Sequence, residues 1–154
     1  MQLLEVTFLD ILPVWKNELW QGRISDIKPL SSMTLNREYN MEIYHNYCPY
    51  FCMVLDGDVV AGVNSCHQTG EDEFRSRGIY VYPRYRKQGV TKLLFDFVKK
   101  KAKESNCSTI WSLPRLDALP AYEKAGFVVC SEVINEGVEF GPNVYVKLNT
   151  SNGV

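Results

Sequence analysis

Residues 79–91 of the chain read IYVYPRYRKQGVT. The β-branched and aromatic residues before Pro83 predict a strand, and the residues after Gly89 predict an amphipathic helix. Apolar residues recur there at the spacing of one buried helix face: Val90, Leu93, Leu94, Phe97, Val98 and Ala102. A helix N-terminus offers unpaired backbone N–H groups and a partial positive charge, and a glycine lets an anion approach without meeting a Cβ. The stretch therefore predicts a strand, an anion-binding turn and a helix.

The turn itself has a defined set of candidate ligand groups. It contains one glycine, so it fits neither the dinucleotide fingerprint nor the P-loop. We expect its backbone N–H groups to hold a pyrophosphate, with two side chains at its ends adding positive charge. The residues concerned are Arg86, Lys87, Gln88, Gly89, Val90, Thr91 and Lys92. The alternative is an ordinary helix start with a solvated basic turn.

Two blocks of sequence resemble the GNAT family of N-acetyltransferases. The turn matches Gln/Arg-x-x-Gly-x-Gly/Ala, the acetyl-coenzyme A signature of that family, with Thr91 in place of the final small residue. Downstream, ALPAYEKAGF at residues 118–127 resembles the family's tyrosine-bearing helix followed by a Gly-Phe strand start. The resemblance is clear over about residues 50–130.

The resemblance implies a fold and a reaction. The fold is α/β (α+β), a mixed and mostly antiparallel central sheet of six to seven strands flanked by about four helices. One domain would cover residues 1–148, and residues 149–154 would form a flexible tail. Acetyl-coenzyme A would be the co-substrate, and its acetyl group would pass to an amine by direct attack in a ternary complex. Backbone groups around Ile79, Tyr80 and Val81 would bind pantetheine and polarise the acetyl carbonyl, and Gly78 would accommodate a bulge.

Tyr122 is the candidate general acid for the departing thiolate, because a phenol near pKa 10 and a thiol near 8.5 differ modestly. The alternative is that Tyr122 only packs in a short helix. Arg115 stands where many relatives have an asparagine, and we hypothesise that it reaches a phosphate. The alternative to catalysis as a whole is a binding module that keeps the coenzyme pocket without turnover.

The general base is left open between Glu73, His67 and ordered water. Glu73 would share a strand face with Arg75, Arg77, Ile79 and Val81 if the strand alternates regularly, and His67 would be an exposed strand-end residue. A weak base favours an amine of low pKa, because deprotonating a lysine amine at pH 7 costs about 4.6 kcal/mol and an α-amine about 1. The acceptor is an amine on a small molecule, peptide or protein. Candidate acceptor contacts, chosen by location, are Trp15, Trp20, Glu38, Glu42 and Tyr44.

Composition limits the class of protein. The 154 residues carry 17 basic and 18 acidic side chains, a net charge of −1, which indicates neither nucleic acid nor a membrane surface as partner. No secretory start or spanning run is present, so a cytoplasmic location is expected. Five cysteines at irregular spacing argue against a disulfide framework, and a metal cluster of His45, Cys48 and Cys52 is rejected in favour of ordinary thiols.

Periodicity and turn signals predict the remaining elements. Strands are expected at residues 2–8, 50–55, 59–67, 75–82 and 109–113, and a last hairpin at 127–134 and 138–148. Helices are expected from Asp10 as cap to Trp20, over 35–47, from residue 90, and over 116–125. The alternation of Val144, Val146 and Leu148 fits either pairing of the last strand with a second copy in a homodimer or burial within one subunit.

Overall fold

The computed structural model describes residues 1–150 and contains one seven-stranded sheet. Its order is β1-β2-β3-β4-β5-β7-β6, and every neighbouring pair is antiparallel except β4 and β5. The strands are β1 Gln2–Val6, β2 Tyr50–Asp56, β3 Val59–Gly70, β4 Glu73–Val81, β5 Thr109–Ser112, β6 Val128–Val129 and β7 Val146–Asn149. The expected mixed, mostly antiparallel sheet is confirmed.

Four α-helices accompany the sheet: α1 Phe8–Val14, α2 Ile43–Asn46, α3 Val90–Glu104 and α4 Leu119–Lys124. A π-helical segment, Trp15–Leu19, continues α1, and single 3-10 turns form at Pro83–Tyr85 and Leu116–Ala118. Within residues 1–150, no helix has the length and apolar character needed to cross a membrane.

The sheet is covered on both faces. On one face, α3 packs its predicted stripe so closely that a Cβ on Gly62 of β3 would lie 2.9 Å from a methyl group of Val90. On the other face, α1 and the π-helical segment bury Ile11 and Trp15 against β2 and β3. Burial of these apolar side chains on both faces is the main stabilising contribution to the fold.

The start of α1 differs from the prediction by a few residues. Thr7, rather than Asp10, is the N-cap, and Asp10 is the third helical residue of a capping box. One oxygen of the Asp10 carboxylate lies 2.9 Å from the Thr7 backbone nitrogen and 2.9 Å from its hydroxyl. This arrangement ends β1 before Thr7 and starts the helix at Phe8.

The predicted helix over residues 35–47 is wrong except for α2. Thr34 accepts a backbone hydrogen bond from Arg37 and pairs with Glu38 through both its main chain and its hydroxyl. Arg37 has a positive φ of 69°, which an α-helix excludes. These side-chain to backbone hydrogen bonds offer the chain an alternative to the helix.

The predicted last hairpin is also largely wrong. Only β6 and β7 form, and between them the chain is irregular apart from isolated bridges at Ile134 and Asn143. Pro142 lies within the predicted second strand and has no N–H to donate to a ladder. β7 lies between β5 and β6 rather than at an edge, so its Val146 and Lys147 are already paired on both sides.

The first two residues of the predicted tail, 149 and 150, are hydrogen-bonded in the structure. Asn149 ends β7, and the Thr150 backbone donates a 2.7 Å hydrogen bond to the carbonyl of Ser108. The rest of that predicted tail, residues 151–154, lies outside the described residues.

Candidate active site

A gap opens in the middle of the sheet where the two parallel strands separate. β4 pairs with β5 only from Glu73 to Arg75, and a hydrogen bond of 2.7 Å from the Ser112 hydroxyl to the Ser76 carbonyl closes that end. β5 ends at Ser112, whereas β4 runs on to Val81. The last part of β4 therefore has no partner strand on its β5 side among residues 1–150.

A β-bulge at Gly78 shapes this free part of β4. Val63 of β3 pairs with Tyr80, and Ser65 pairs with Arg77, so β4 has one more residue than β3 between the two pairs. Gly78 has a φ of +83°, and a Cβ there would lie 2.5 Å from the Trp15 ring. The Trp15 indole N–H donates a 2.7 Å hydrogen bond to the Gly78 carbonyl. The predicted bulge is confirmed, and only glycine fits it.

The bulge reverses which side of the sheet the alternate side chains of β4 lie on. Because it inserts one residue, side chains that alternate regularly up to Arg77 change sides after it. Ile79 and Val81 pack on the α3 face, and Tyr80 packs with the Trp15 cluster on the other face. The expectation that Arg77, Ile79 and Val81 share one face is therefore wrong.

The main chain of Val81 faces the gap. The Tyr82 N–H bonds the Ala61 carbonyl at 2.9 Å, so Tyr82 points its backbone at β3, and by alternation Val81 points away. The Arg86 Nε donates a 3.0 Å hydrogen bond to the Val81 carbonyl, and its guanidinium lies 5.9 Å from the Tyr80 ring. Arg86 thus lies along the free edge of β4.

The predicted anion-binding turn leads directly from this edge into α3. Gly89 is the N-cap of α3 with a φ of +83°, it has no side-chain cap, and a Cβ there would meet nothing within 4 Å. Lys87 also has a positive φ, 62°, while Gln88 bonds the Arg84 carbonyl and Lys92 pairs with Asp96 at 2.8 Å. The first N–H groups of α3 are left available for an anion.

Tyr122 lies at the closed end of the gap. Its hydroxyl is 3.2 Å from the Ser112 Oγ, and its ring packs edge-on to Phe95 and Phe127. Burial raises the pKa of Tyr122 to about 12, against the opposing effects of the Ser112 hydrogen bond and the Arg75 charge. The phenol is therefore protonated at neutral pH.

The two candidate general bases, Glu73 and His67, and the candidate phosphate contact Arg115 are each bonded to other groups. The Glu73 carboxylate binds the Leu35 N–H at 3.0 Å and the Thr69 hydroxyl at 2.6 Å, at the far end of β4 from the bulge. His67 is fully buried rather than exposed, with Nε2 3.1 Å from the Ser31 carbonyl. Arg115 contacts the Leu19 carbonyl and stacks on Phe140 at 4.9 Å.

Burial lowers the pKa of His67 well below its usual value, and the charges of Arg75 and Arg77 lower it further. His67 is therefore neutral near pH 7 and covered by the main chain of residue 31. Neither it nor Glu73 is positioned to receive a proton at the gap.

Sequence reasoning missed one carboxylate near the bulge, Glu18 in the π-helical segment. Burial raises the pKa of both Tyr80 and Tyr82, and the negative charge of Glu18 raises each further. Glu18 therefore lies beside the two phenols that follow the bulge. Helical periodicity hides it, because the helix widens to a π-turn at Trp15–Leu19.

The residues proposed for acceptor contact divide into two groups. Trp15 is buried against Gly78, Trp20 packs on it at 4.9 Å, and Tyr44 lines a cavity on the same face. Glu38 and Glu42 are exposed and do not line that cavity. The aromatic side chains are thus near the bulge, whereas the acidic ones are not part of the cavity wall.

Comparison with known proteins agrees with this geometry. The sequence matches the Acetyltransferase (GNAT) family over residues 14–127. No curated protein matches the chain. An acetyltransferase of the GNAT family from Staphylococcus aureus Mu50 has a similar structure, with a TM-score of 0.64, 17% identity, and coverage of 97% of this chain and 99% of that one.

Two further solved structures share the fold over part of the chain. Nourseothricin acetyltransferase has a TM-score of 0.57 and 21% identity, with 68% of this chain and 66% of that chain covered. The yncA protein of Salmonella typhimurium, solved with its cofactor acetyl-CoA, has a TM-score of 0.55 and 16% identity, with 67% and 65% covered. The family match spans well over half of the sequence, and the chain therefore belongs to the GNAT family of acetyltransferases.

Proposed function

We propose that this protein is an N-acetyltransferase that moves an acetyl group from acetyl-coenzyme A to an amine by direct attack in a ternary complex. The observation that carries the proposal is that the unpaired end of β4 leads directly into the start of α3, whose N-cap Gly89 provides no side-chain hydrogen bond. A pyrophosphate fits the helix start, and an extended pantetheine fits an unpaired strand edge.

The coenzyme would bind across the start of α3 and along the free edge of β4. The backbone of the anion-binding turn would hold the pyrophosphate, and the main chain of Ile79–Val81 would bind pantetheine. Arg86 now donates to the Val81 carbonyl, so it would exchange that hydrogen bond for the ligand or add its charge to the phosphates. The thioester would then lie at the closed end of the gap, beside Tyr122.

Transfer needs one bond formed, one broken and one proton removed. The amine nitrogen attacks the acetyl carbonyl carbon, the C–S bond breaks, and the thiolate leaves. Proton transfer from a phenol at about 12 to a thiolate near 8.5 is uphill by about 5 kcal/mol. We therefore assign Tyr122 the role of hydrogen-bond donor to the developing thiolate; the coenzyme leaves as the thiolate, and Tyr122 keeps its proton.

Glu18 is the proposed acceptor of the amine proton. It lies next to Tyr80 and Tyr82 on the face opposite α3, the face from which Trp15 contacts the bulge. An amine that enters from this face meets the thioester on the side away from the α3 core. A carboxylate there serves as general base directly or through one water.

The test is chromatographic detection of coenzyme A released from acetyl-coenzyme A across a panel of amines, with binding of acetyl-coenzyme A followed by calorimetry. We expect acceptor-dependent release by the native protein. Tyr122→Phe should bind acetyl-coenzyme A with unchanged affinity. It should form free coenzyme A at least tenfold more slowly, since one oxyanion-type donor is worth about 10²–10³ in rate. Full activity in this variant would refute the role of Tyr122. Coenzyme binding without release for any amine would support the binding module instead.

A further inference from the structure

A cavity of about 390 Å³ lies on the face of the sheet that carries Trp15. Loop residues 23–31 form most of its wall, with Tyr44 of α2 and Arg77 of β4. Three of its lining side chains are cationic, Arg23, Lys28 and Arg77, and the lining includes one carboxylate, Asp26. The cavity is therefore predominantly positive, although the whole chain has a net charge of −1.

Arg77 is the buried member of this group, with only 5% of its surface exposed. Its guanidinium donates one hydrogen bond of 2.8 Å, to the Lys28 carbonyl, and stacks on Trp15 and Trp20 at 5.3 and 5.2 Å. Within residues 1–150, the Lys28 carbonyl is the only protein acceptor of its five N–H groups. A planar guanidinium that packs on two adjacent aromatic rings is restricted in direction and is suited to bidentate recognition.

Counter-ions for these cations are missing from the part of the chain that the structure describes. Across residues 1–150, no carboxylate lies within salt-bridge distance of Arg23, Lys28 or Arg77. The nearby Glu139 carboxylate instead accepts hydrogen bonds from the main chain and hydroxyl of the 24–25 loop, at 2.7 and 3.1 Å. Burial lowers the pKa of Arg77 to about 9, and the charges of Arg75 and Arg23 contribute.

An arginine stays protonated in proteins, so Arg77 carries a buried positive charge. A bound anion would offset the desolvation cost of that charge. Arg75 contributes a second positive charge on the same face of β4, two residues before Arg77. Its guanidinium stacks on Trp111 at 4.7 Å, and its buried Nε has no hydrogen-bond partner within residues 1–150. Two neighbouring guanidiniums on one face without an anion are costly to bury.

The cavity adjoins the bulge where transfer is proposed. Arg77 directly precedes Gly78, and the Trp15 ring that packs on Arg77 also donates to the Gly78 carbonyl. An acceptor whose amine reaches the thioester can therefore place a second group beside Arg77. The chemistry of the cavity selects an anionic group, rather than the second cation of a diamine.

We propose that the acceptor is an amine that also carries an anionic group, a carboxylate or a phosphate, and that Arg77, with Arg23 and Lys28, binds this group. That the acceptor has an amine rests on the proposed function, whereas that it has an anionic group rests on the cavity alone. An α-amino acid is the simplest such molecule, and its α-amine has the low pKa that favours attack at neutral pH.

The first arm of the test measures transfer. Matched acceptors differ only in the anion: an amino acid against its amide, and an aminoalkyl phosphate against the amino alcohol. We expect kcat/KM to be at least about tenfold higher for the anionic member of a pair. Lys28→Gln and Arg23→Gln, at exposed and half-buried positions, should raise KM for the anionic acceptor by about three- to tenfold and change KM for the neutral acceptor much less.

Lys103→Gln is the matched control, because Lys103 is an exposed lysine of α3 outside the cavity. It should change neither acceptor's KM. Equal kcat/KM for the acid and its amide would overturn the inference while leaving the acetyltransferase proposal intact. The relative preference for the carboxylate or the phosphate pair identifies which anion the cavity takes.

The second arm measures binding without transfer. Titration with N-acetylglycine and with inorganic phosphate is followed by tryptophan fluorescence, to which the two rings that pack on Arg77 contribute along with Trp111. We expect saturable binding of at least one anion, weakened in Lys28→Gln and lost in Arg77→Met, whose fold is checked by circular dichroism. N-acetylglycinamide should not bind. Anion binding without acetylation of any acceptor would leave the cavity assignment standing and refute the proposed function, whereas no binding of either anion would refute the cavity assignment.

Discussion

Replacing Gly78 by alanine tests whether the bulge in β4 is fixed by backbone conformation and by contact with Trp15. Gly78 has a φ of +83°, a region that L-residues with a side chain disfavour. A Cβ there would also lie 2.5 Å from the indole ring of Trp15, which is fully buried and cannot move aside freely. Any displacement of the ring also breaks the 2.7 Å hydrogen bond from its N–H to the Gly78 carbonyl.

The expected loss has two parts. The left-handed backbone costs a residue with a Cβ about 1–2 kcal/mol. Overpacking against a buried ring costs about 1–3 kcal/mol more. Together these reduce the free energy of unfolding of Gly78→Ala by about 2–5 kcal/mol, out of the 5–15 kcal/mol typical of a domain, so the variant should remain largely folded at low temperature.

Urea denaturation of the native protein and of Gly78→Ala measures this loss. Gly57→Ala is the matched control: Gly57 has a φ of +61°, and a Cβ there would meet nothing within 4 Å. The control should lose only the backbone contribution, about 1–2 kcal/mol. Equal losses in the two variants would refute the claim that Trp15 defines the bulge. Coenzyme A release should fall in Gly78→Ala and stay normal in Gly57→Ala.

Three further predictions concern the site and the core. Glu18→Gln should lower kcat at neutral pH, with acetyl-coenzyme A affinity unchanged by calorimetry; an unaltered kcat would assign the proton to water or another group. Gly89→Ala should weaken acetyl-coenzyme A binding, whereas Gly57→Ala should not, because only the first places a Cβ at the start of α3. Burial lowers the pKa of His67 well below 6.5, so below pH 6.5 the unfolded state binds a proton that the folded state does not. The free energy of unfolding therefore decreases as the pH is lowered, by up to about 1.4 kcal/mol per pH unit. His67→Gln should flatten that slope in urea denaturation between pH 7.5 and 5.5, and an unchanged slope in this variant would contradict the prediction.

Local signals in the sequence were sufficient for the elements that lead into the candidate site. The apolar stripe from Val90 to Ala102 is buried as its spacing predicts, and Gly89 is the N-cap with a positive φ. Gly78 could be proposed as a bulge because glycine within a strand is otherwise unfavourable. These features depend on residues close together in the chain.

The errors arose where distant contacts decide the structure. The bulge moves Ile79 and Val81 to the face opposite Arg77, a change that regular alternation cannot anticipate. His67 is buried because residue 31, far away in sequence, covers it. The helix predicted over residues 35–47 gave way to turns held by side-chain to backbone hydrogen bonds such as those of Thr34.

The cationic cavity was missed for the same reason. Arg23, Lys28 and Arg77 are spread over more than fifty positions, and each alone is an ordinary basic residue. Only the fold brings the loop over β4, where the Arg77 guanidinium donates to the Lys28 carbonyl. Of the acceptor contacts chosen by location, Tyr44 lines the cavity, whereas Glu38 and Glu42 are exposed outside it.

The central claim, direct transfer of acetyl from the coenzyme to an amine, is tested most directly with acetyl-coenzyme A labelled with ¹³C in its acetyl group. Mass spectrometry of the quenched reaction locates the label on the acceptor, the protein or the unreacted coenzyme. We predict label on the acceptor nitrogen, in amounts equal to the free coenzyme A formed, and none on any of the five cysteines. Label on a cysteine that then passes to the amine would contradict direct attack, and label that stays on the coenzyme with every amine would contradict catalysis.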